Sequence, residues 1–93
     1  MAVCKSAKCT ISEGETHPFV ASAPLVLYSV IVANESTSAP ALAGIYNGAS
    51  MIGYMDFAVP PGETVVWTGC VALPKGMSAV AEVGAVRVTV MYV

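Results

Sequence analysis

Leu25-Val-Leu-Tyr-Ser-Val-Ile-Val-Ala33 is a run of nine residues without a charge, a glycine or a proline. It decides the fold. β-Branched and aromatic side chains fill it, Pro24 precedes it, and the turn formers Asn34-Glu-Ser-Thr-Ser38 follow it, which favours a strand over a short buried helix. Strict alternation puts Leu25, Leu27 and Ile31 on one face and Val26, Tyr28, Val30 and Val32 on the other. Both faces are then apolar. A solvated sheet face would carry polar residues, so this strand is expected to be covered twice, by a second sheet on one side and by another layer or another subunit on the other.

Working outward, the same strand-and-turn grammar repeats. Towards the start, residues 1–12 read as an arm holding Cys4, Lys5, Lys8 and Cys9, with a short strand over Cys9-Thr-Ile11. Ser12-Glu-Gly-Glu15 reads as a turn, and Thr16–Ser22 as a strand whose Pro18 restricts it to a sheet edge. Towards the end, Pro40–Tyr46 and Ala49–Val59 flank Asn47-Gly48, a pair that predicts a type I′ hairpin. Gly53 marks a bulge within the second of these strands. Pro60-Pro-Gly-Glu63 is a rigid turn that launches Thr64–Thr68. Cys70–Leu73 is a short apolar piece, and Met77–Val83 and Ala85–Val93 read as a final pair around Gly84. No helical period is present. Seven or eight short strands with a turn signal every 8–12 residues predict an all-β, single small antiparallel β-sandwich or jelly-roll-like barrel over residues 13–93, preceded by the 1–12 arm.

Composition bears on what the domain does. Of 93 residues, 56% are hydrophobic and only 11% charged, against about 25% charged in an ordinary soluble domain. A domain this small leaves about a third of its surface outside any core. Part of the apolar excess is therefore expected in contacts between copies or with a larger partner. The four cations, Lys5, Lys8, Lys75 and Arg87, are scattered and the net charge is −2, so there is no basic stripe for nucleic acid. No run approaches the roughly 20 apolar residues of a membrane-spanning helix, and Met1–Cys9 lacks the apolar core of a secretory signal. A chain made and kept in the cytoplasm is expected.

The chemistry-bearing side chains do not form a recognised constellation. Cys4, Cys9, Cys70 and His17 could be offered to zinc, but structural zinc sites pair ligands two to four residues apart, and these are not so spaced. Cys70 with His17, oriented by Asp56, would make a nucleophile and base only if the fold assembled them, and a cysteine in Gly69-Cys-Val-Ala-Leu73 is more simply a small packing residue. No catalytic residue, metal ligand or cofactor site is assigned, and no enzyme activity is expected. A Cys4–Cys9 disulfide is conceivable in an oxidising medium, leaving one thiol odd. Aromatic and methionine side chains, which dominate burial and fill irregular gaps, supply the candidate interface: Val26, Tyr28, Val30, Tyr46, Met51, Tyr54, Met55 and Trp67. Trp67 with the tyrosines also allows a glycan-binding module as an alternative.

Five segments carry a resemblance: Leu27-Tyr-Ser-Val-Ile-Val32, Ile45-Tyr-Asn-Gly-Ala-Ser50, Val59-Pro-Pro-Gly-Glu-Thr-Val-Val-Trp67, Leu73-Pro-Lys-Gly-Met77 and Val86-Arg-Val-Thr-Val-Met-Tyr-Val93. In their order the chain resembles small all-β virion structural proteins of tailed bacteriophages. The resemblance implies a capsid decoration or cement protein that binds the major capsid protein on the outer shell as a homo-oligomer, a trimer among the expected states. A tail, collar or fibre-associated virion subunit is the alternative within the same class. Residues 1–10 have no counterpart in that pattern, which makes the arm the expected place of a contact particular to this protein.

Overall fold

The computed structural model describes residues 4–20, 23–48 and 53–93. They form eight strands: β1 (Lys5–Ile11), β2 (Thr16–Val20), β3 (Leu25–Asn34), β4 (Ala41–Asn47), β5 (Gly53–Val59), β6 (Thr64–Leu73), β7 (Met77–Val83) and β8 (Val86–Tyr92). One sheet has the order β1-β8-β3-β6 and the other β2-β7-β4-β5, and every pair is antiparallel. The all-β sandwich is thus present. Only β4 and β5 are neighbours in both sequence and sheet; every other connection crosses from one sheet to the other, which is jelly-roll connectivity. The expected final pair around Gly84 is accordingly split, with β7 in one sheet and β8 in the other. Gly84 takes φ +71 at that crossover, a value an L side chain rarely adopts.

The first sheet is held by β3, which lies between β8 and β6. Its alternation is not strict. The register against both neighbours shifts between Leu27 and Ser29, because two consecutive residues, Tyr28 and Ser29, face outward at a bulge. Leu25 and Leu27 before the shift and Val30, Val32 and Asn34 after it therefore all point inward, and all are buried. The face assignment from strict alternation is corrected accordingly. Ile31 belongs outside with Val26 and Tyr28, whereas Val30, named as interface, is 0% exposed and belongs to the core. Opposite these, Ala43, Ile45, Phe57, Val59, Met77 and Ala79 close the interior from the second sheet.

The arm begins as a strand four residues earlier than expected. Ala7, Cys9 and Ile11 fall opposite the buried Val90, Val88 and Val86, so Lys5–Ile11 has the apolar alternation of a sheet edge once its partner is in place. Cys70–Leu73 and Thr64–Thr68 are likewise one strand, β6, continuous through Gly69. A Cβ on Gly69 would lie 2.7 Å from Trp67 Cζ2, so the indole can cover this position only because it is glycine.

The turns are fixed by side chains as much as by backbone preference. Glu63 N–H donates to Pro60 O (3.1 Å) with Gly62 at φ +70, the hydrogen bond and handedness of a Pro-Gly type II turn. Asn34 ties that turn to the β3–β4 loop: its Nδ2 donates to Ala39 O (2.8 Å), Val59 O (3.1 Å) and Pro60 O (3.3 Å), and its Oδ1 accepts from Ser36 N (2.9 Å). Asn47-Gly48 departs from the type I′ expectation. Gly48 has φ +67 but Asn47 does not share it; the Asn47 carboxamide instead accepts from Lys75 N (3.0 Å), and Ser78 Oγ donates to Gly48 O (2.7 Å). β5 starts only at Gly53; the expected return over residues 49–52 lies outside the described residues.

Two substitutions separate core from surface. Val30→Ala should lower stability by about 2 kcal/mol through lost burial and a residual cavity, whereas Val66→Ala at 60% exposure should stay within about 0.5 kcal/mol; chemical denaturation with the slope compared between variants checks both. Asn34→Ala should cost about 2–3 kcal/mol, because it strands carbonyls at a part-buried junction, and should lower the midpoint without changing the slope.

Candidate assembly surface

The outer face of the first sheet is built from the residues that alternate with the core. β3 contributes Val26, Tyr28, Ser29 and Ile31, β8 contributes Thr89 and Met91, and β6 contributes Val66, Thr68 and Ala72, on rows set by the pairing register. Tyr28, Val66 and Met91 are 41%, 60% and 40% exposed. Charge enters this face only towards its margins: Lys8 on β1 at one edge, and the Arg87–Glu35 ion pair (3.2 Å) at the Asn34 end. Between them lies an uncharged surface of apolar side chains interspersed with Ser29, Thr68 and Thr89, which none of the other described strands covers.

The four sheet edges differ in chemistry. β1 carries Lys5 and Lys8, β2 carries Pro18 at a register shift, and β5 carries Asp56; lysine, proline, bulges and charge are the usual protections of an exposed edge. β6 has none of the charged or proline protections over its ten residues, Thr-Val-Val-Trp-Thr-Gly-Cys-Val-Ala-Leu. Its register against β3 shifts once, near Cys70.

The three thiols lie at the two ends of this sheet's strand order. Cys4 immediately precedes β1, Cys9 is within it, and Cys70 is on β6. Cys4 and Cys70 are exposed and Cys9 is half-buried against the core. Three strand spacings of about 4.8 Å put roughly 14 Å between β1 and β6, and the extended stretch Lys5–Cys9 alone spans about 13 Å. A disulfide needs Cα atoms within about 7 Å. The Cys4–Cys9 bridge entertained from sequence is therefore sterically closed, as is either bridge to Cys70, and a disulfide compatible with this fold must join two chains.

The remaining candidates are dispersed. His17 on β2 and Asp56 on β5 occupy opposite edges of the second sheet, and Cys70 belongs to the first, so the nucleophile, base and orienting group considered from sequence are not brought together. No group of three or more His, Cys, Asp or Glu among the described residues is placed to share a metal ion. Of the named interface residues, Val26 and Tyr28 share the outer face of the first sheet, and Tyr46 lies apart from them on the second. Met55 and Trp67 pack against the core. Met51 and the Tyr54 side chain lie outside the described residues. The alternation that puts Arg87, Thr89 and Met91 on one side of β8 is legible in the sequence, but neither Met91 nor Val66, both exposed, is among the named interface residues.

Among the described residues, Tyr46 has a titration shifted by its surroundings. Its hydroxyl donates to Glu82 Oε1 (2.8 Å); this hydrogen bond first, then burial and the negative charges of Glu82 and Asp56, raise its pKa above the ordinary 10.0. The neutral phenol is the form the fold favours, so its contribution to stability is complete below the unfolded pKa and is lost as pH rises through the elevated folded one.

No protein-family model matches the chain, and neither does any curated protein. Among solved structures, the fold is similar to that of a protein of Bacillus endospore appendages, described as a novel family of disulfide-linked pili, with a TM-score of 0.57 and 15% identity over 97% of this chain and 86% of that one. At that identity the likeness shows the fold alone. Peruvianin-I, a cysteine peptidase from Thevetia peruviana latex, aligns with a TM-score of 0.47 and 18% identity over 96% of this chain and 49% of its own, too weak a likeness to bear on chemistry here.

Two measurements follow from the site. Spectrophotometric titration of the phenols should show a late-ionising component that disappears in Tyr46→Phe. Oxidation of dilute protein should yield no species two hydrogens lighter at monomer mass, and thiol labelling of the native chain should modify Cys4 and Cys70 faster than Cys9.

Proposed function

We propose that this protein is a non-enzymatic structural subunit that works by assembling with copies of itself. The observation that carries this reading is the surface of the first sheet: an outer face with exposed Tyr28, Val66 and Met91 and charge only at its margins, which runs to an edge strand without charge or proline. A protein kept as a monomer blunts such edges and breaks up such faces. The 11% charge content has the same consequence, because a small domain offers little interior in which to hide the apolar excess.

The setting implied by the strand and turn segments is the outside of a tailed-phage capsid. There a homo-oligomer lying across joints between major capsid subunits would stabilise the shell by binding the assembled state in preference to the free subunits. A fibre is the second setting, and a specific observation favours it: the fold is similar to that of a subunit of disulfide-linked pili, and the three cysteines here can reach disulfide partners only on another chain. Both settings use the same property, a repeated jelly roll with adhesive sheet surfaces.

Sedimentation and light scattering of the purified chain under reducing conditions should show species larger than the 9.5 kDa monomer. A single monomeric species at micromolar concentration would refute self-assembly. Labelling in intact particles then separates the settings: a signal spread over the shell supports the capsid, and one confined to a tail, collar or fibre removes it.

A further inference from the structure

The two edges of the first sheet are complementary in a way that points to a particular junction. In the order β1-β8-β3-β6 each neighbour is antiparallel, so β1 and β6 run in opposite directions. Moving a second copy sideways along the sheet brings its β1 antiparallel to β6 of the first without turning either molecule over. The second sheet, β2-β7-β4-β5, has the same parity, and the same movement sets β2 of the second copy antiparallel to β5 of the first. The edges are also stacked consistently, β1 over β2 and β6 over β5.

Charge disfavours one of the two pairings of like edges. Two β1 edges placed together would oppose the lysines of one copy to those of the other, which destabilises a cross-strand pair. β6 carries no charge, so it can receive a lysine-bearing strand without that repulsion. We infer that β6 of one copy receives β1 of the next, continuing the first sheet from molecule to molecule in a head-to-tail contact that generates a ring or a filament. This inference rests on the self-assembly reading and specifies its contact.

The register supplies a covalent marker for the junction. Lys5 lies on the row of Tyr92 and Leu27, and Leu27 on that of Val71. A purely sideways movement, with no shift along the strands, would place Lys5 of the second copy beside Val71 of the first. Cys4 then stands one residue to one side of that row and Cys70 one residue to the other, within reach of a disulfide after a small shift along the strands. Cys9 falls on the row of Val88, Val32 and Val65, at the opposite end of β6 from Cys70. The bond forms by thiol–disulfide exchange with a small disulfide such as oxidised glutathione: one cysteine thiolate takes up glutathione and releases one glutathione thiol, and the second cysteine displaces the other. Two cysteine thiols are oxidised and one disulfide is reduced to two thiols.

The test uses two full-length variants, one retaining only Cys70 (Cys4→Ser, Cys9→Ser) and one retaining only Cys4 (Cys9→Ser, Cys70→Ser), incubated with oxidised glutathione singly and mixed. A covalent dimer in the mixture, little in either variant alone and none in urea, is the expected result. Introducing Val66→Lys into the Cys70-only chain, at an exposed position of the receiving strand, should abolish the dimer while circular dichroism shows the fold retained. A dimer formed mainly by the Cys70-only variant with itself would overturn the inference in favour of β6 pairing with β6. Failure of the mixture to cross-link above the urea control would also overturn it. Sedimentation of the wild-type chain under reductant then tells the two failures apart: larger species without the Cys4–Cys70 bond leave self-assembly standing on another contact, and a monomer removes both.

Discussion

The structure depends on one irregularity, the two successive outward residues Tyr28 and Ser29 in β3. A strand with strict alternation would bury Leu25 and Leu27 and then turn Val30 and Val32 to solvent, or the reverse. The bulge gives up local pairing and in exchange brings five inward positions, Leu25, Leu27, Val30, Val32 and Asn34, onto one face of the central strand. β8 and β6 follow that shift, since both take their register from β3. The core of the first sheet is thus a consequence of where β3 breaks its own period.

Because only β4 and β5 are both consecutive and adjacent, most of the sandwich is held by contacts between segments distant in sequence, and the loops must span the two layers. Such crossings leave backbone groups that no ladder satisfies. Asn34 and Asn47 fill that role at opposite ends of β3 and β4: one carboxamide serves the Ser36–Ala39 loop and the Val59–Pro60 turn, the other the turn at Lys75. Two polar side chains therefore decide how the sheets are joined, while the apolar residues decide that they stack.

Much of the fold was legible because strand and turn signals are local. Most of the strands, the Pro-Gly turn at residues 60–63 and the edge position of the Pro18 strand follow from neighbours in sequence. What was not legible depends on partners. Lys5–Ile11 is a strand because Val86, Val88 and Val90 complete its inner face, and no pattern within Lys-Ser-Ala-Lys-Cys-Thr-Ile shows those residues. The faces of Leu25–Ala33 were misassigned for the same reason, since a bulge leaves no compositional mark in a uniformly apolar run. Asn47-Gly48 reads as a type I′ pair only so long as the Asn47 side chain is free; in the fold it accepts from Lys75 N, and Asn47 keeps an ordinary φ. Of the candidate surface, Val26 and Tyr28 were read from sequence, but their grouping with Val66 and Met91 depends on strand order.

The second apolar face of β3 keeps its meaning after the correction, though with different residues. Val30 and Val32, which first argued for a covered outer face, belong to the core; Ile31 joins Val26 and Tyr28 instead, and the three continue into β6 and β8 rather than standing alone. That continuity changes the physical argument from one strand to a whole sheet. A face that exposes apolar side chains on three strands and ends at an uncharged edge can be covered in two ways, by a layer laid over it or by extension of the sheet at its side. Layering hides side chains only. Extension also satisfies the free N–H and C=O groups of β6, which water solvates in the monomer and which a second copy's strand can pair. The sequence retains lysines on β1 and none on β6, an asymmetry that a layered contact would not require and that a head-to-tail edge contact uses directly.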